Sequence, residues 1–298
     1  MIARSLSLGA VLAAGLAGGT LAADLRPLGD GSVSSGPRAG FVFACQQSFP
    51  ANGPGASREG PWIKGAEWDL DEKVKVAGAV DWPNALLTIE VQGERRLVTG
   101  NNLPSHPTGV FPIAQDDPAF YYDRNPNPIR AIDLKLDLPR LPKVAAAPSC
   151  VPMGIIGIAL TGAVVYNALD LRGKDAAAHE MLDACLGHPQ GAGQYHYHAP
   201  SPCLLDTSGP AGRHSDLVGY ALDGFGIYGP YGEDGAKLAS KDLDACHGHT
   251  HEVAWDGKKT ALYHYHFTPD YPYSVGCFAG APIAVARRPG GGGPLARP

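Results

Sequence analysis

Basic clusters are missing from this sequence. Its 24 Lys and Arg are scattered, which argues against a surface that tracks nucleic-acid phosphates. Beyond the N-terminus no apolar run is long enough to cross a bilayer. The best of them, Met153 to Tyr166, is short and broken by Gly154, Gly157 and Gly162. No serine sits in a G-x-S-x-G elbow, and the glycines of Gly224 to Gly229 lack the Lys-Ser/Thr of a phosphate-binding loop. Three methionines without a cluster disfavour a Cu⁺ carrier. No cysteine is left over either. Six cysteines pair off as disulfides, which argues against a cysteine nucleophile.

What is present begins with residues 1–23, which read as a signal peptide. Arg4 supplies the positive charge, Leu6 to Leu16 the apolar core, and Thr20 to Ala23 a small-residue cleavage zone. Removing Arg4 with that segment leaves 23 basic and 29 acidic residues, a formal charge of −6 on about 275 residues. The expected location is periplasmic or secreted, where disulfides persist. With 39 Gly and 27 Pro, the chain is expected to be rich in turns and poor in helix. Residues 24–40 are Gly/Ser/Pro-rich and expected to be a flexible lead-in. Residues 41–150 read as an N-terminal β region, with a hairpin over Glu90 to Val98, a strand over Ile132 to Leu136 and a connection over Pro139 to Pro152. Residues 286–298 form a Gly/Pro-rich tail.

Residues 151–285 contain two similar units, about 153–207 and 215–280. Ile156 to Tyr166 aligns with Val218 to Tyr228, 62 residues on. Leu182-Asp183-Ala184-Cys185-x-Gly187-His188 aligns with Leu243-Asp244-Ala245-Cys246-x-Gly248-His249, 61 residues on. Tyr195-His196-Tyr197-His198 is matched by Tyr263-His264-Tyr265-His266, and Cys203 by Cys277. The expected fold is mainly β, an antiparallel sandwich or barrel-like array with few short helices. In it the two units pack about a pseudo-twofold axis as one compact domain with 41–150. The best helix candidate is Asp175 to Ala184, with a similar turn at Leu238 to Ala245. The repeat suggests the disulfides Cys185–Cys203 and Cys246–Cys277, leaving Cys45–Cys150. Bridging of equivalent cysteines across units is the alternative.

Alternation of Tyr and His on a strand sends the two side-chain types to opposite faces. His196 and His198 then aim at one point, and Gly-His supplies a third imidazole. The candidate metal ligands are His188, His196 and His198 in one unit and His249, His264 and His266 in the other. Three imidazoles with a fourth position suit Zn²⁺ or copper. The bland reading is a hydrogen-bonded polar core. In an extended chain His247 and His251 share the face of His249, so both are candidate extra ligands. His106, in the loop Thr99 to Gly109, is a candidate ligand or base. Asp183 and Asp244 read either as acceptors behind the ligand histidines or as turn formers. Asp223, before Gly224, reads as a turn residue, the four tyrosines as packing on the far face, and His179 and His214 as structural.

Together these segments resemble the YHYH family. The likeness runs from Trp62 to about Gly280 and includes Trp62-Ile63-x-Gly65-x-x-Trp68, Asn102-x-Pro104-x-His106-Pro107-Thr108-Gly109 and both Gly-His…Tyr-His-Tyr-His…Cys units. It also takes in Gly219 to Gly229 and Tyr271-Pro272-Tyr273…Cys277. The resemblance implies an exported domain and assigns no activity. One departure is Thr161-Gly162, where the second unit has Asp223-Gly224. Three functions are open at this point. The first is an exported protein that binds zinc or copper through the repeated histidines, with a metal ion as its partner, no nucleic acid and no membrane span after signal removal. The second is a metal-dependent hydrolase or oxidase. The third is a disulfide-stabilised structural or interaction domain without metal.

Overall fold

The structure, a computed structural model, describes residues 24–52, 55–204 and 212–285. The signal-like segment and the 286–298 tail lie outside the described residues.

Short apolar runs between Gly and Pro punctuation form short strands. Eight of them make the central sheet: β1 (Ile155–Ala159), β2 (Val164–Tyr166), β3 (Gly187–Pro189), β4 (Tyr195–Tyr197), β5 (Leu217–Ala221), β6 (Gly226–Tyr228), β7 (Gly248–Trp255) and β8 (Lys258–His266). Their spatial order is β3-β4-β2-β1-β5-β6-β8-β7. β1 and β5 meet antiparallel in the middle, with Ile158 opposite Tyr220. Outward on either side come an antiparallel hairpin partner (β2, β6) and then a parallel neighbour (β4, β8). An antiparallel edge strand (β3, β7) closes each flank. The fold is therefore mainly β, as expected, but the sheet stays open and no barrel closes. It is also mixed, because the long stretches between β2 and β4 and between β6 and β8 give room for parallel return.

The predicted hairpin is present as Leu87–Gln92 and Arg95–Gly100, joined by Leu134–Pro139 into a three-stranded sheet. Three sequence expectations meet a different outcome. Pro139 to Pro152 is more than a connection, since Val144–Ser149 pairs with Phe278–Gly280. Residues 24–40, expected to be poorly ordered from composition, carry specific bonds instead. Leu25–Pro27 pairs with Glu67–Asp69, the Gly29 N–H donates to Asp175 and Asp30 meets His179. The helix expected over Asp175 to Ala184 shrinks to one turn, Ala176–His179, capped by the Asp175 side chain. It stops because the chain beyond is already committed: the Leu182 carbonyl accepts from Val76, and Asp183 bridges to Val76. The companion segment near Leu238 is a 3₁₀ turn, Ser240–Asp242.

The disulfides are Cys45–Cys150, Cys185–Cys203 and Cys246–Cys277, so each unit is clamped internally. The first spans a separation of 105 residues, a loop whose closure is worth about 4–5 kcal/mol in the chain-entropy account. Three disulfides fit an oxidising compartment. Among the described residues no helix is long and apolar enough to cross a membrane.

The Asp-Ala-Cys-x-Gly-His pattern has a structural explanation. The Tyr195 phenol donates to the fully buried Asp183 carboxylate at 2.9 Å. That carboxylate also accepts from the N–H groups of Gly109, Cys185 and Gly187. The phenol crosses so close to Gly187 that a Cβ there would lie 2.3 Å from its oxygen. In the second unit Tyr263 donates to Asp244, which also accepts from Cys246 and Gly248, and a Cβ on Gly248 would lie 2.4 Å from the phenol oxygen. Glycine is thus demanded by close approach rather than by backbone angle. Asp183→Ala should strand four donors and cost about 3 kcal/mol or more, whereas Tyr195→Phe should cost about 1–2 kcal/mol. Urea unfolding measures both. Equal losses would mean that the backbone donors do not depend on the carboxylate.

Candidate metal centres

The face of β4 opposite its tyrosines carries His196, and His198 follows immediately. His188 on β3 pairs directly across from His196. The Nε2 atoms of His196 and His198 stand 3.0 Å apart. Their Nδ1 atoms contact the carbonyls of Gln194 and Asn167. A carbonyl only accepts, so each Nδ1 carries a proton, and in the neutral form of either ring Nε2 presents a bare lone pair. Two bare acceptors at 3.0 Å repel unless a cation lies between them.

A carboxylate stands beside this group. Glu180 Oε2 lies 3.1 Å from His188 Nε2 and 3.2 Å from His198 Nε2. The Glu180 oxygen and the His188 nitrogen are nonetheless without an aligned hydrogen bond. The atoms converge on a point more than they bond one another. The three imidazoles each offer a nitrogen within 4.8 Å of the others, and Glu180 stands against two of them. The three rings and Glu180 are all buried, none more than 8% exposed. Burial, followed by repulsion from His188 and His198, pushes the His196 imidazole well below its ordinary value. Burial opposes the charge of Glu180, but His188 and His198 outweigh it and hold the carboxyl well below the usual range. Lys73 steadies the Glu180 turn by donating to the backbone carbonyls of Ala177 and Glu180.

The second group is larger. His249 and His251 alternate on β7 and share a face, His264 and His266 do the same on β8, and His214 precedes β5. One ring nitrogen from each of the five lies within 4.8 Å of all the others. His249 Nε2 stands 3.0 Å from both His266 Nε2 and His251 Nε2, and His214 Nε2 is 3.3 Å from His264 Nε2. Four of the rings point Nδ1 at a backbone carbonyl: His214 at Ser215, His251 at Glu252, His264 at Leu262 and His266 at Gly229. His214 and His264 again face each other with bare nitrogens, whereas His249 can donate from Nε2 to His251 or His266. Burial and the neighbouring histidines push His249 down to about 4 and His264 to about 3. His264 is partly supported by its bond to Leu262. His266 also lies well below its ordinary value, from burial and His264. The group is half-open, since His214, His249 and His251 are only partly buried.

Other expected residues fall elsewhere. His247 is not on the face of His249. It sits before β7 with a φ of 72°, which turns its ring inward to Thr268. His106 lies on the tyrosine side of β4, bonded to the Tyr197 phenol, away from the first group. Its other neighbours, Cys185 and Cys203, are joined to each other and offer no thiolate. Asp183 and Asp244 hold tyrosines and turns and do not stand behind the histidines. The Thr161 departure also concerns the far face: Tyr197 bonds to Thr161 and His106, where Tyr265 bonds to Asp223. His179 pairs with Asp30, a structural role as expected. His214, read from the sequence as structural, is corrected: it belongs to the second group. Glu180 was not anticipated at all. The signal for both is weak, since Pro152 and Lys241 occupy the positions 62 before His214 and 61 after Glu180.

Residues 135–241 match the family model described as YHYH protein. That span contains the whole first group and, of the second, only His214. It is shorter than the likeness read from the motifs. No curated protein and no solved structure matches the chain.

Burial pushes the His247 imidazole down to about 4. A base with a depressed folded value binds fewer protons folded than unfolded. Its neutral form therefore supports the fold fully above about pH 6.5, and that support is lost as pH falls toward 4. The metal-free chain should lose up to about 3 kcal/mol across that window from this residue. His247→Asn, which tolerates the positive φ, should flatten the acid limb of stability against pH by urea unfolding. An unchanged limb would remove His247 as its source.

Proposed function

From a chain with a YHYH-family segment at residues 135–241, we propose an exported metal-binding protein that takes zinc or copper at both histidine groups. The observation that carries this reading is two pairs of facing Nε2 atoms, His196 with His198 at 3.0 Å and His214 with His264 at 3.3 Å, with all four Nδ1 atoms turned to carbonyls. Hydrogen bonding does not account for such a contact between neutral rings, and a shared cation does. The low ring basicities argue against a proton as that cation. His188, His196 and His198 make a three-imidazole set suited to Zn²⁺ or Cu²⁺, with the Glu180 carboxylate beside His188 and His198. His214, His249, His251, His264 and His266 make an all-imidazole set suited to Zn²⁺ or Cu²⁺. Carbonyls behind the imidazoles fix the tautomers, the usual duty of a second coordination shell.

The reading of a metal-dependent hydrolase or oxidase draws on the half-open second group. It needs a coordination position facing solvent and a base beside it. Binding without turnover needs neither, and it is the reading preferred here.

Elemental analysis of the purified chain should find zinc or copper. Adding either metal to the stripped chain should raise Tm, since saturating a site at 1,000 Kd adds about 4 kcal/mol. His196→Ala with His198→Ala should remove one share of the metal, and His249→Ala with His264→Ala the other. Absence of metal together with an unmoved Tm would sink the proposal.

A further inference from the structure

We infer that the two groups hold metal on different terms: the first retains its ion as part of the fold, and the second exchanges its ion with solution. This rests on the metal-binding reading above and adds a division of labour to it.

Charge is the first argument. In the first group a divalent ion would meet one carboxylate, Glu180, in a fully enclosed place. A buried charge is tolerated when it is paired. The second group converges five imidazoles and no carboxylate. The Glu233 carboxylate is exposed and meets the far nitrogen of His251, at 3.2 Å. An ion there keeps its double charge and relies on water or dissolved anions, which partial exposure of three rings provides.

Donor number is the second. Zn²⁺ takes four ligands. The first group offers three enclosed imidazoles with a carboxylate beside two of them and no spare ring, so release requires the surroundings to open. The second offers five. A surplus imidazole lets an ion change partners one at a time, and His249 and His251 lie on the edge strand β7.

Anchoring is the third. Glu180 is fixed by Lys73 through two backbone carbonyls; the tie of Asp183 and the Cys185–Cys203 bridge at β3 and β4 has its equivalent in Asp244 and Cys246–Cys277, so the difference lies in this carboxylate and in strand length. β7, by contrast, runs out with β8 as a long hairpin whose far end at Trp255 and Lys258 lies well beyond the histidines.

The test loads the full chain with Zn²⁺ and mixes it with excess chromophoric chelator. About half of the zinc should leave in a fast phase. The rest should leave at least about a hundredfold more slowly, held back by the local opening it requires. His251→Ala should alter only the fast phase. Glu180→Gln, nearly isosteric, should turn the slow phase fast while circular dichroism stays native. A single phase for all the zinc, or a slow phase untouched by Glu180→Gln, overturns the division of labour while leaving metal binding intact. A chain that takes up no zinc overturns the metal reading itself, and this inference with it.

Discussion

The bond from the Tyr195 phenol to the Asp183 carboxylate organises the first unit. It fixes β4 against the Asp183 turn from the tyrosine side. Because side chains alternate along a strand, fixing one face aims the other. His196 and His198 point where they do because Tyr195 and Tyr197 are held behind them. Tyr263 on Asp244 and Tyr265 on Asp223 impose the same constraint on β8. The carboxylates that the motif repeats thus act one layer away from the imidazoles, and their charge is spent on phenols and backbone N–H groups. Burial pushes the Asp183 and Asp223 carboxyls up, against the donors that surround them. Such buried carboxylates persist only when every oxygen is occupied, which is why Gly187 and Gly248, the residues that let the phenols through, cannot easily be replaced.

With the tyrosine faces so alike, the difference between the histidine faces stands out. Three imidazoles occupy corresponding places in both groups. The first adds Glu180 from the one-turn helix, and the second adds His214 and His251. The additions follow their surroundings. A carboxylate accompanies enclosure, and neutral rings accompany exposure, as desolvation costs require. The loop carrying His106 belongs to the other layer. Asn102 from that loop donates to the Tyr195 carbonyl and accepts from Val164, stitching the parallel pair β2 and β4. His106 and Thr161 then hold the Tyr197 phenol without the carboxylate that Tyr265 uses.

Local pattern made much of this legible. Alternation in Tyr-His-Tyr-His implied the two faces, the spacing of equivalent cysteines implied the internal bridges, and Gln92-Gly93-Glu94 implied the hairpin. What stayed hidden was contact without local cause. Glu180 follows three alanines and a histidine, a setting that says nothing about a partner in β3 or β4. His214 lies in a polar connection whose direction depends on β5 entering the middle of the sheet. His247 misled because an extended reading of His247-x-His249-x-His251 is natural, whereas the chain turns through positive φ there, as it does at Leu186 in the other unit. Val144–Ser149 has neither alternation nor β-branching beyond its first residue, so its pairing is a gift of Phe278–Gly280.

These misses share a direction. Each residue that distinguishes one histidine group from the other comes from outside the repeated blocks or from a position where the blocks disagree. The repeated residues build the frame: strand pairing, tyrosine anchors, disulfides and three imidazoles per unit. The unrepeated ones set charge, donor number and access. A frame held by four phenols and three disulfides leaves those positions freer to diverge, because changing them need not disturb how the imidazoles are aimed. The chemistry of each group is therefore better read from Glu180, His214 and His251 than from the motif that first draws the eye.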